Sequence, residues 1–284
     1  MKRLFVILLI MVQALAMQAQ ATDSVPVLRP VASMFMAGVG SARVLDTYLT
    51  PITYSGTSVS LAYAATQATG FAPEKWVRQL AVGADYGRVK NPVGNNAMHT
   101  LMLEGQWGIM HRWNGVWHRG LQLMLGGMTQ LRGGVIYNAS NSNNVVSVKA
   151  RWSLGLMGMA VYNTRLGRLP VTVAWQASLP VAGVFFSPDY DESYYEMYLG
   201  NHSGLAHMGW WGNRFDMTNL VTADMHFGNT VVRLGYRNRV ERSWVQNLNT
   251  RITTHELVLG VGGDVLSISR KGLDNKAKII SSMY

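Results

Sequence analysis

Hydrophobic and polar residues alternate along most of this chain, which predicts β-strands with one apolar and one polar face. The clearest case is VVSVKARWSLGLM at 145–157. Val148 and Trp152 fall on one face with the other apolar residues, whereas Lys149 and Arg151 fall on the opposite face. Successive side chains of a strand point to opposite sides, so a period of two separates the faces in this way.

The same alternation recurs in about ten segments. They are 32–44, 53–67, 75–89, 98–113, 116–130, 145–162, 168–186, 213–228, 230–241 and 252–269, with a break in the pattern at Asn219 and Leu220. Most exceed the roughly 9–11 residues that a tilted strand needs to cross a bilayer. A typical soluble strand has only about five or six residues. The pattern predicts an all-β fold, a transmembrane antiparallel up-and-down β-barrel of about ten strands (roughly 8–12).

Connections between these segments are alternately short and long. Asn114-Gly115 and Gly228-Asn229 are candidates for two-residue hairpin turns, because such turns require positive φ and favour Asn and Gly. The other short connections are 163–167 and a Gly/Pro loop near 70–73, and the longer ones are 45–52, 89–97, 131–144, 187–212 and 241–251. Short periplasmic turns and long outer loops are typical of outer-membrane barrels. We therefore expect both chain ends at the periplasmic face.

Aromatic residues concentrate at both ends of the predicted strands. Those beside the short turns are Trp76, Trp113, Trp117, Tyr162 and Phe227, and those at the opposite ends are Tyr54, Tyr86, Tyr137, Phe185 and Phe215. Aromatic rings favour the lipid headgroup level, so a barrel in a membrane carries two such girdles. The alternative is a soluble secreted barrel or sandwich, lipocalin-like, in which the same residues form the core.

Composition favours an exported membrane protein. Charged residues make up 14% of the chain, against roughly 25% in soluble domains, and there are 29 glycines and no cysteine. Lys2 and Arg3 precede an apolar run, and Ala19-Gln20-Ala21 offers a cleavage site, so residues 1–21 are predicted to be a signal peptide. After it, no apolar run approaches the roughly 20 residues of a spanning helix.

Two stretches, DTYLTPITYSG (46–56) and HELVLGVGGDVLSISRK (255–271), carry a family resemblance. They resemble the conserved ends of a family of uncharacterised outer-membrane barrel proteins from Bacteroidetes, catalogued as a domain of unknown function. The resemblance implies a barrel in the outer membrane of a Gram-negative cell and supplies no activity. Many such barrels end on an aromatic residue of the last strand, whereas KGLDNKAKIISSMY follows here. Whether Tyr284 serves as the assembly signal stays open.

The chain is thus divided into four parts. They are a signal peptide over 1–21, a periplasmic segment over 22–31, the barrel over 32–270 and a C-terminal tail over 271–284. Its expected location is the outer membrane.

If the apolar faces contact lipid, the opposite side chains line the interior. They include Asp85, Glu104, Gln106, Gln122, Lys149, Arg151, Gln176, Asp216, Asp224, Arg233, Arg237, Glu256 and Asp264. About eight strands enclose a lumen just wide enough for side chains, while aqueous channels appear at about 16–18 strands. We therefore expect these charges to pair and fill the lumen. The alternative is a narrow, porin-like pore or a small ligand site.

Candidate catalytic groups are few. Asp224 and His226 lie two apart on one strand face and resemble the acid–histidine pair of omptin surface proteases, although next to a predicted periplasmic turn. Asn201-His202-Ser203-Gly204, in the longest loop, places a base beside a hydroxyl, but adjacent residues seldom face each other for proton transfer. The histidines lack metal-ligand spacing. The sequence thus predicts no cofactor and no metal and identifies no catalytic residue. An outer-leaflet enzyme acting on lipid or peptide stays an alternative.

The expected partners follow from charge and location. The formal charge is +10, or +8 without Lys2 and Arg3. Export argues against nucleic acid and favours contact with outer-membrane lipids and lipopolysaccharide, after passage through the barrel-assembly machinery. The loop 187–212 contains Tyr190, Tyr194, Tyr195, Tyr198, Trp210 and Trp211. These rings suit either a lid over the barrel mouth, which we favour, or a surface that binds a partner, as in an adhesin or complex subunit.

Overall fold

The computed structural model describes residues 27–117, 120–140, 144–188, 194, 199–200, 204–265 and 278–283. Its strands are β1 (Val27–Leu28), β2 (Val31–Asp46), β3 (Thr50–Ala68), β4 (Trp76–Lys90), β5 (Ala97–Asn114), β6 (Leu121–Asn138), β7 (Val146–Leu166), β8 (Leu169–Phe186), β9 (Ala206–Trp210), β10 (Arg214–Phe227), β11 (Thr230–Val245), β12 (Leu248–Val265) and β13 (Lys278–Ile279). Within these ranges no helix is long and apolar enough to span a membrane. The predicted signal peptide lies outside the described residues.

Ten long strands form one closed antiparallel sheet. β2 to β8 pair in sequence order, β10 pairs with β11, and β11 pairs with β12. β12 pairs with β2, and β8 pairs with β10 from Val171 to Ser178, which closes the ring. The short β9 adds only to the upper part of β8. The predicted up-and-down barrel is confirmed.

The two faces of each strand separate as the alternation predicts. On β7, Trp152 and Leu156 are exposed on the outer wall, whereas Arg151, Ser153 and Met157 point into the lumen. The break that we noted on β10 follows the same parity, since Leu220 lines the interior. Apolar residues therefore cover the outer wall around the ring, and most polar ones face inward.

Several strands are longer than the sequence predicts. β2 and β3 are joined by the three residues 47–49, and β11 and β12 by Gln246 and Asn247 alone. Those two residues have φ of 45° and 66°, the positive values that a type I′ turn requires. The loops predicted at 45–52 and 241–251 are thus mostly strand, and β6 extends to Asn138 through much of the predicted 131–144 loop. At the ends of β11 and β12 polar residues occupy both faces, as Arg242 and Ser243 show, so the alternation that marks a strand is weak there.

The Asn114-Gly115 hairpin is a second wrong prediction. Asn114 is the last residue of β5 and pairs with Gln122 of β6. The chain then passes through the connection 115–120, in which Gly115 and Trp117 have φ of 70° and 62°. The Gly228-Asn229 turn is confirmed, because Phe227 and Thr230 are register partners on either side of it.

Eight of the ten predicted girdle residues lie on the outer wall or beside it, but two lie in the lumen. Tyr54 and Phe185 are only 3% and 5% exposed, so for them the prediction is wrong. Tyr54 shares the inward face of β3 with Ser58. Phe185 follows a bulge at Val181, where one extra residue on β8 shifts the register against β7. A shift of one residue exchanges the two faces of a strand, which turns Phe185 inward.

We call the end with the connections 69–75, 115–120, 167–168 and 228–229 the lower end. The opposite, upper end carries the long connection 187–205. β1 and β13 pair in parallel at the lower end, so the first and last described residues lie together there.

A charged residue on the outer wall tests the direction of the faces. Leu156 is at the centre of β7 and about half exposed. We expect Leu156→Arg to destabilise the protein in phospholipid bilayers by about 2–4 kcal/mol, because a lipid-facing cation at the midplane loses its hydration. Urea unfolding in bilayers measures this. The control is Val93→Arg, in the exposed β4–β5 turn, and equal effects of the two substitutions would contradict the outward direction.

Candidate functional site in the barrel lumen

A network of ion pairs crosses the lumen, and we call it the ion-pair belt. Its members are Arg132, Arg151, Arg214, Arg237 and Arg239, with Asp85, Glu104, Asp216, Glu241 and Glu256. The side chains are between 1% and 14% exposed. The five positive and five negative charges balance, so the belt as a whole is neutral.

Arg132 is at the centre of the belt. Its guanidinium lies 2.6 Å from Asp85, 3.1 Å from Glu104 and 2.9 Å from Glu241. Arg239 binds the first two of these carboxylates from the other side, at 3.2 Å from Glu104. Glu104 belongs to β5 and Arg239 to β11, strands on opposite sides of the ring. The contacts therefore close the lumen from wall to wall.

Two branches connect the centre to the rest of the wall. On one side, Arg151 lies 2.6 Å from Glu241 and 3.7 Å from Asp216. On the other, Arg237 pairs with Glu256. The Ser58 and Ser60 hydroxyls donate to the two oxygens of Glu256 at 2.7 and 3.0 Å. Charge-assisted hydrogen bonds of this kind compensate for the cost of burying the ions.

The belt divides the remaining space into two cavities. The upper cavity, about 50 Å³, is bounded by Arg151, Lys149 and Phe186. The lower cavity, about 110 Å³, contains the amides of Gln79 and Gln176, which bond to each other at 2.8 Å. Belt residues line both cavities. Each cavity has room for a few water molecules, and the belt lies between them.

The residues 278–283, which we call the plug segment, fill the lower mouth of the barrel. Met283 is buried in a cluster with Val77 and five more methionines: Met110, Met124, Met128, Met157 and Met159. The buried guanidinium of Arg112 donates to the Ser281 carbonyl at 2.7 Å, and Asn163 donates to the Met283 carbonyl at 3.2 Å. Part of the predicted C-terminal tail is therefore a built component of the lumen.

A salt bridge fixes the outer edge of the plug segment. Lys278 lies 2.5 Å from Glu74 in the β3–β4 connection. The hydrogen bond and the charge of Lys278 hold the pKa of the Glu74 carboxyl below its ordinary value. The contact is exposed, so it orients the segment and contributes little stability.

The upper half of the lumen is packed with apolar side chains. Val44, Val89, Met98 and Ile136 are fully buried there. Tyr194, from the long upper connection, covers them: its ring meets Tyr48 edge-on at 5.8 Å, and its hydroxyl accepts from the Val148 amide at 2.7 Å. At Tyr194, therefore, this connection lies over the barrel mouth. Tyr190, Tyr195 and Tyr198 lie outside the described residues.

The sequence predicts much of this lumen correctly. All thirteen predicted interior residues lie on inward-facing positions, and the belt and its neighbouring pairs confirm a filled interior. Four belt residues are absent from that list: Arg132, Arg214, Arg239 and Glu241. Arg132 was assigned to a loop, whereas Arg239 and Glu241 continue the alternation begun by Arg233 and Arg237. Extending that alternation to the end of β11 would have found both.

The candidate catalytic pair does not form. The two oxygens of Asp224 accept from Arg233, each at 2.7 Å, while His226 bonds to the Thr172 hydroxyl at 2.9 Å. Both side chains point inward as predicted, but they have separate partners. Asn201, His202 and Ser203 lie outside the described residues. Among the residues that are described, no group of three or more His, Asp or Glu side chains could hold a metal ion.

A closed ten-stranded barrel with an apolar outer wall and buried charged side chains in its lumen defines the class of outer-membrane β-barrel proteins. The chain belongs to the family described as "Protein of unknown function (DUF3316)", whose model matches residues 4–272. No curated protein matches it in sequence.

Solved structures with a similar course of the chain are distant in sequence. The outer-membrane protease OmpT from Escherichia coli is 8% identical, with a TM-score of 0.47 over 87% of this chain and 100% of that one. The translocator domain of the autotransporter NalP from Neisseria meningitidis is 10% identical, with a TM-score of 0.34 over 88% and 92%. A Pseudomonas aeruginosa FadL homologue is 8% identical, with a TM-score of 0.31 over 84% and 90%.

The pair of Arg233 and Asp224 tests how buried charges behave in this lumen. We expect Arg233→Met or Asp224→Leu alone to cost about 3–5 kcal/mol, since each leaves an unpaired buried charge, and the double variant to be close to wild type. Denaturant unfolding in detergent micelles measures the three values. Additive losses in the double variant would show that the two groups do not act as a pair.

Proposed function

We propose that this chain is an integral outer-membrane barrel that is closed at rest and does not act as a general porin. The observation that carries the proposal is the ion-pair belt, which fills the cross-section between the upper and lower cavities. A diffusion pore requires a continuous aqueous path, and a ten-stranded ring leaves little room for one once its inward side chains pair.

The outer wall supports the membrane location. Phe35, Leu61, Leu131, Leu257 and Leu259 are each about two-thirds exposed, and similar residues surround the ring. Soluble proteins rarely expose apolar patches larger than a few hundred Å². Aromatic rings at both ends of the wall, such as Trp113 below and Tyr137 above, fit the two headgroup levels.

The orientation belongs to the same proposal. We place the lower end in the periplasm, because the short turns and the plug segment are there and the long connection is at the opposite end. Residues 1–21 would then direct export, and both chain ends would be periplasmic. The barrel-assembly machinery and a Gram-negative, Bacteroidetes source are part of this proposal through the resemblance of the sequence.

Conductance in planar bilayers tests closure. We expect the wild type to show no steady open level, because the belt and the plug segment lie in series. A charge-balanced belt variant (Asp85→Ser, Glu104→Ser, Arg132→Ser and Arg239→Ser) that also lacks 278–284 should conduct ions better than the wild type, since it removes two of the obstacles in the lumen and leaves only the apolar packing above them. Heat-modifiable gel mobility confirms that each variant is folded.

Deletion of 278–284 alone is the matched control for that experiment. It leaves the belt intact and should stay closed to ions. Steady conductance of the wild type would overturn the proposal, and conductance of the deletion alone would assign closure to the plug segment instead of the belt.

A second candidate role is binding at the surface, which the upper end favours. Trp210 and Trp211 are 62% and 52% exposed, and the indole of Trp211 donates to the Pro180 carbonyl at 3.0 Å, which fixes that ring. Exposed, ordered tryptophans are typical of binding hot spots. We propose that a barrel closed to solutes acts through this end, as an adhesin or complex subunit.

Photocrosslinking on intact cells tests the surface role. A crosslinker at position 210 should capture a discrete product, and Trp211→Ala should reduce its yield because the neighbouring ring is lost. The same crosslinker at position 117, at the lower end, is the control and should give no product with extracellular protein. No product at position 210 would remove the adhesin proposal while leaving the closed barrel untouched.

A further inference from the structure

We propose that the upper outer wall binds the phosphate groups of lipopolysaccharide through five cationic side chains, which we call the cation patch. They are Arg43, Arg88, Lys90, Arg242 and Arg251, and all five are exposed on outward-facing positions. The five lie near the upper ends of β2, β4, β11 and β12, and β3 completes a run of five adjacent strands. The inference rests on the proposed orientation, with the upper end outside.

The register places these cations close together. Arg242 and Arg251 are direct partners on β11 and β12. Arg43 faces Ser55 of β3, and Ser55 faces Lys90 of β4. Arg43 and Lys90 therefore lie on either side of the Ser55 hydroxyl and are about two strand spacings, or roughly 10 Å, apart. Like charges in direct cross-strand pairs are destabilising. An anion between them removes that repulsion.

The carboxylates of the described residues are separated from this patch. Of the nine Asp and Glu residues in the described part of the chain, eight occupy inward-facing positions on barrel strands, and the ninth, Glu74, is at the lower end. Within the described ranges, none of the five cations forms a salt bridge. Arg251 donates only to Asn249, at 3.2 Å. Cations with no counterion among the described residues, at the height of the headgroups, match a phosphorylated lipid.

The wall below the patch fits the rest of such a lipid. Immediately below, Val39, Val59 and Leu257 face outward and are exposed. Two tyrosine–histidine pairs lie at this boundary: Tyr86 with His99 at 2.7 Å and Tyr236 with His255 at 2.6 Å. An apolar groove lies lower on the same five strands and is lined by Phe35, Leu61, Val82, Val232 and Leu259. Cationic, amphipathic and apolar zones thus succeed one another as in a lipid with phosphates and acyl chains.

The test compares two sets of three substitutions in the refolded full chain. The patch variant is Arg43→Gln, Lys90→Gln and Arg251→Gln, and the control is Arg78→Gln, Arg165→Gln and Arg168→Gln, which removes the same charge from exposed positions at the lower end. Binding of purified lipopolysaccharide is measured by titration in detergent. We expect the patch variant to bind on the order of 100-fold more weakly, from about fivefold for each cation near an anionic surface, and the control to bind like wild type.

Two further measurements identify the ligand chemistry. Dephosphorylated lipopolysaccharide should bind the wild type as weakly as intact lipopolysaccharide binds the patch variant. Arg43→Lys with Arg251→Lys should keep most of the affinity, because the charge remains. Equal losses in the patch and control variants, or equal affinity for phosphatidylglycerol micelles, would overturn the proposal. None of these readouts depends on conductance, so failure here is distinct from failure of the closed-barrel proposal.

Discussion

Closure of the sheet is the constraint on which the rest of this structure depends. In hydrocarbon every backbone amide and carbonyl must bond within the protein, and a sheet without edges is the β solution. The pairing of β8 with β10 supplies the last set of those bonds. Once the ring is closed, alternation along each strand leaves no further choice: apolar side chains meet lipid, and every charged side chain on the inward face enters a narrow interior.

That interior then has to satisfy its own charges. Ten strands are too few for a wide aqueous channel, so the inward carboxylates and guanidinium groups find one another, and the belt is neutral. Its serine donors and the apolar packing above and below leave only two small cavities beside the belt. The ring of ten strands thus closes the wall against lipid, and because it is small it also leaves the lumen closed.

Alternation makes the wall predictable, and its loss explains the errors. Lys149, Arg151 and Trp152 have the faces that the sequence predicts, because one side contacts lipid and the other does not. The upper strand ends extend above the part of the wall where one face contacts lipid, so the contrast between the two faces is weaker there. The sequence pattern therefore assigned Arg132 to a loop and placed Glu241 at the end of a strand. Phe185 was misplaced because a bulge has no signature in the pattern, and no local sequence rule predicts that a segment as distant as Met283 occupies the lower mouth.

The bulge at Val181 on β8 has a consequence for variation among related chains. Above Pro180 and the bulge, β8 stays paired with β7, but on its other edge β9 replaces β10. The segment after β9 contacts the barrel through Trp211 and Asn213. The bonds that complete the ring all lie beneath this point. Insertions or deletions between β8 and β9 therefore leave the closed ring of strands intact, and the upper tip is free to diversify in length while the barrel beneath it stays the same.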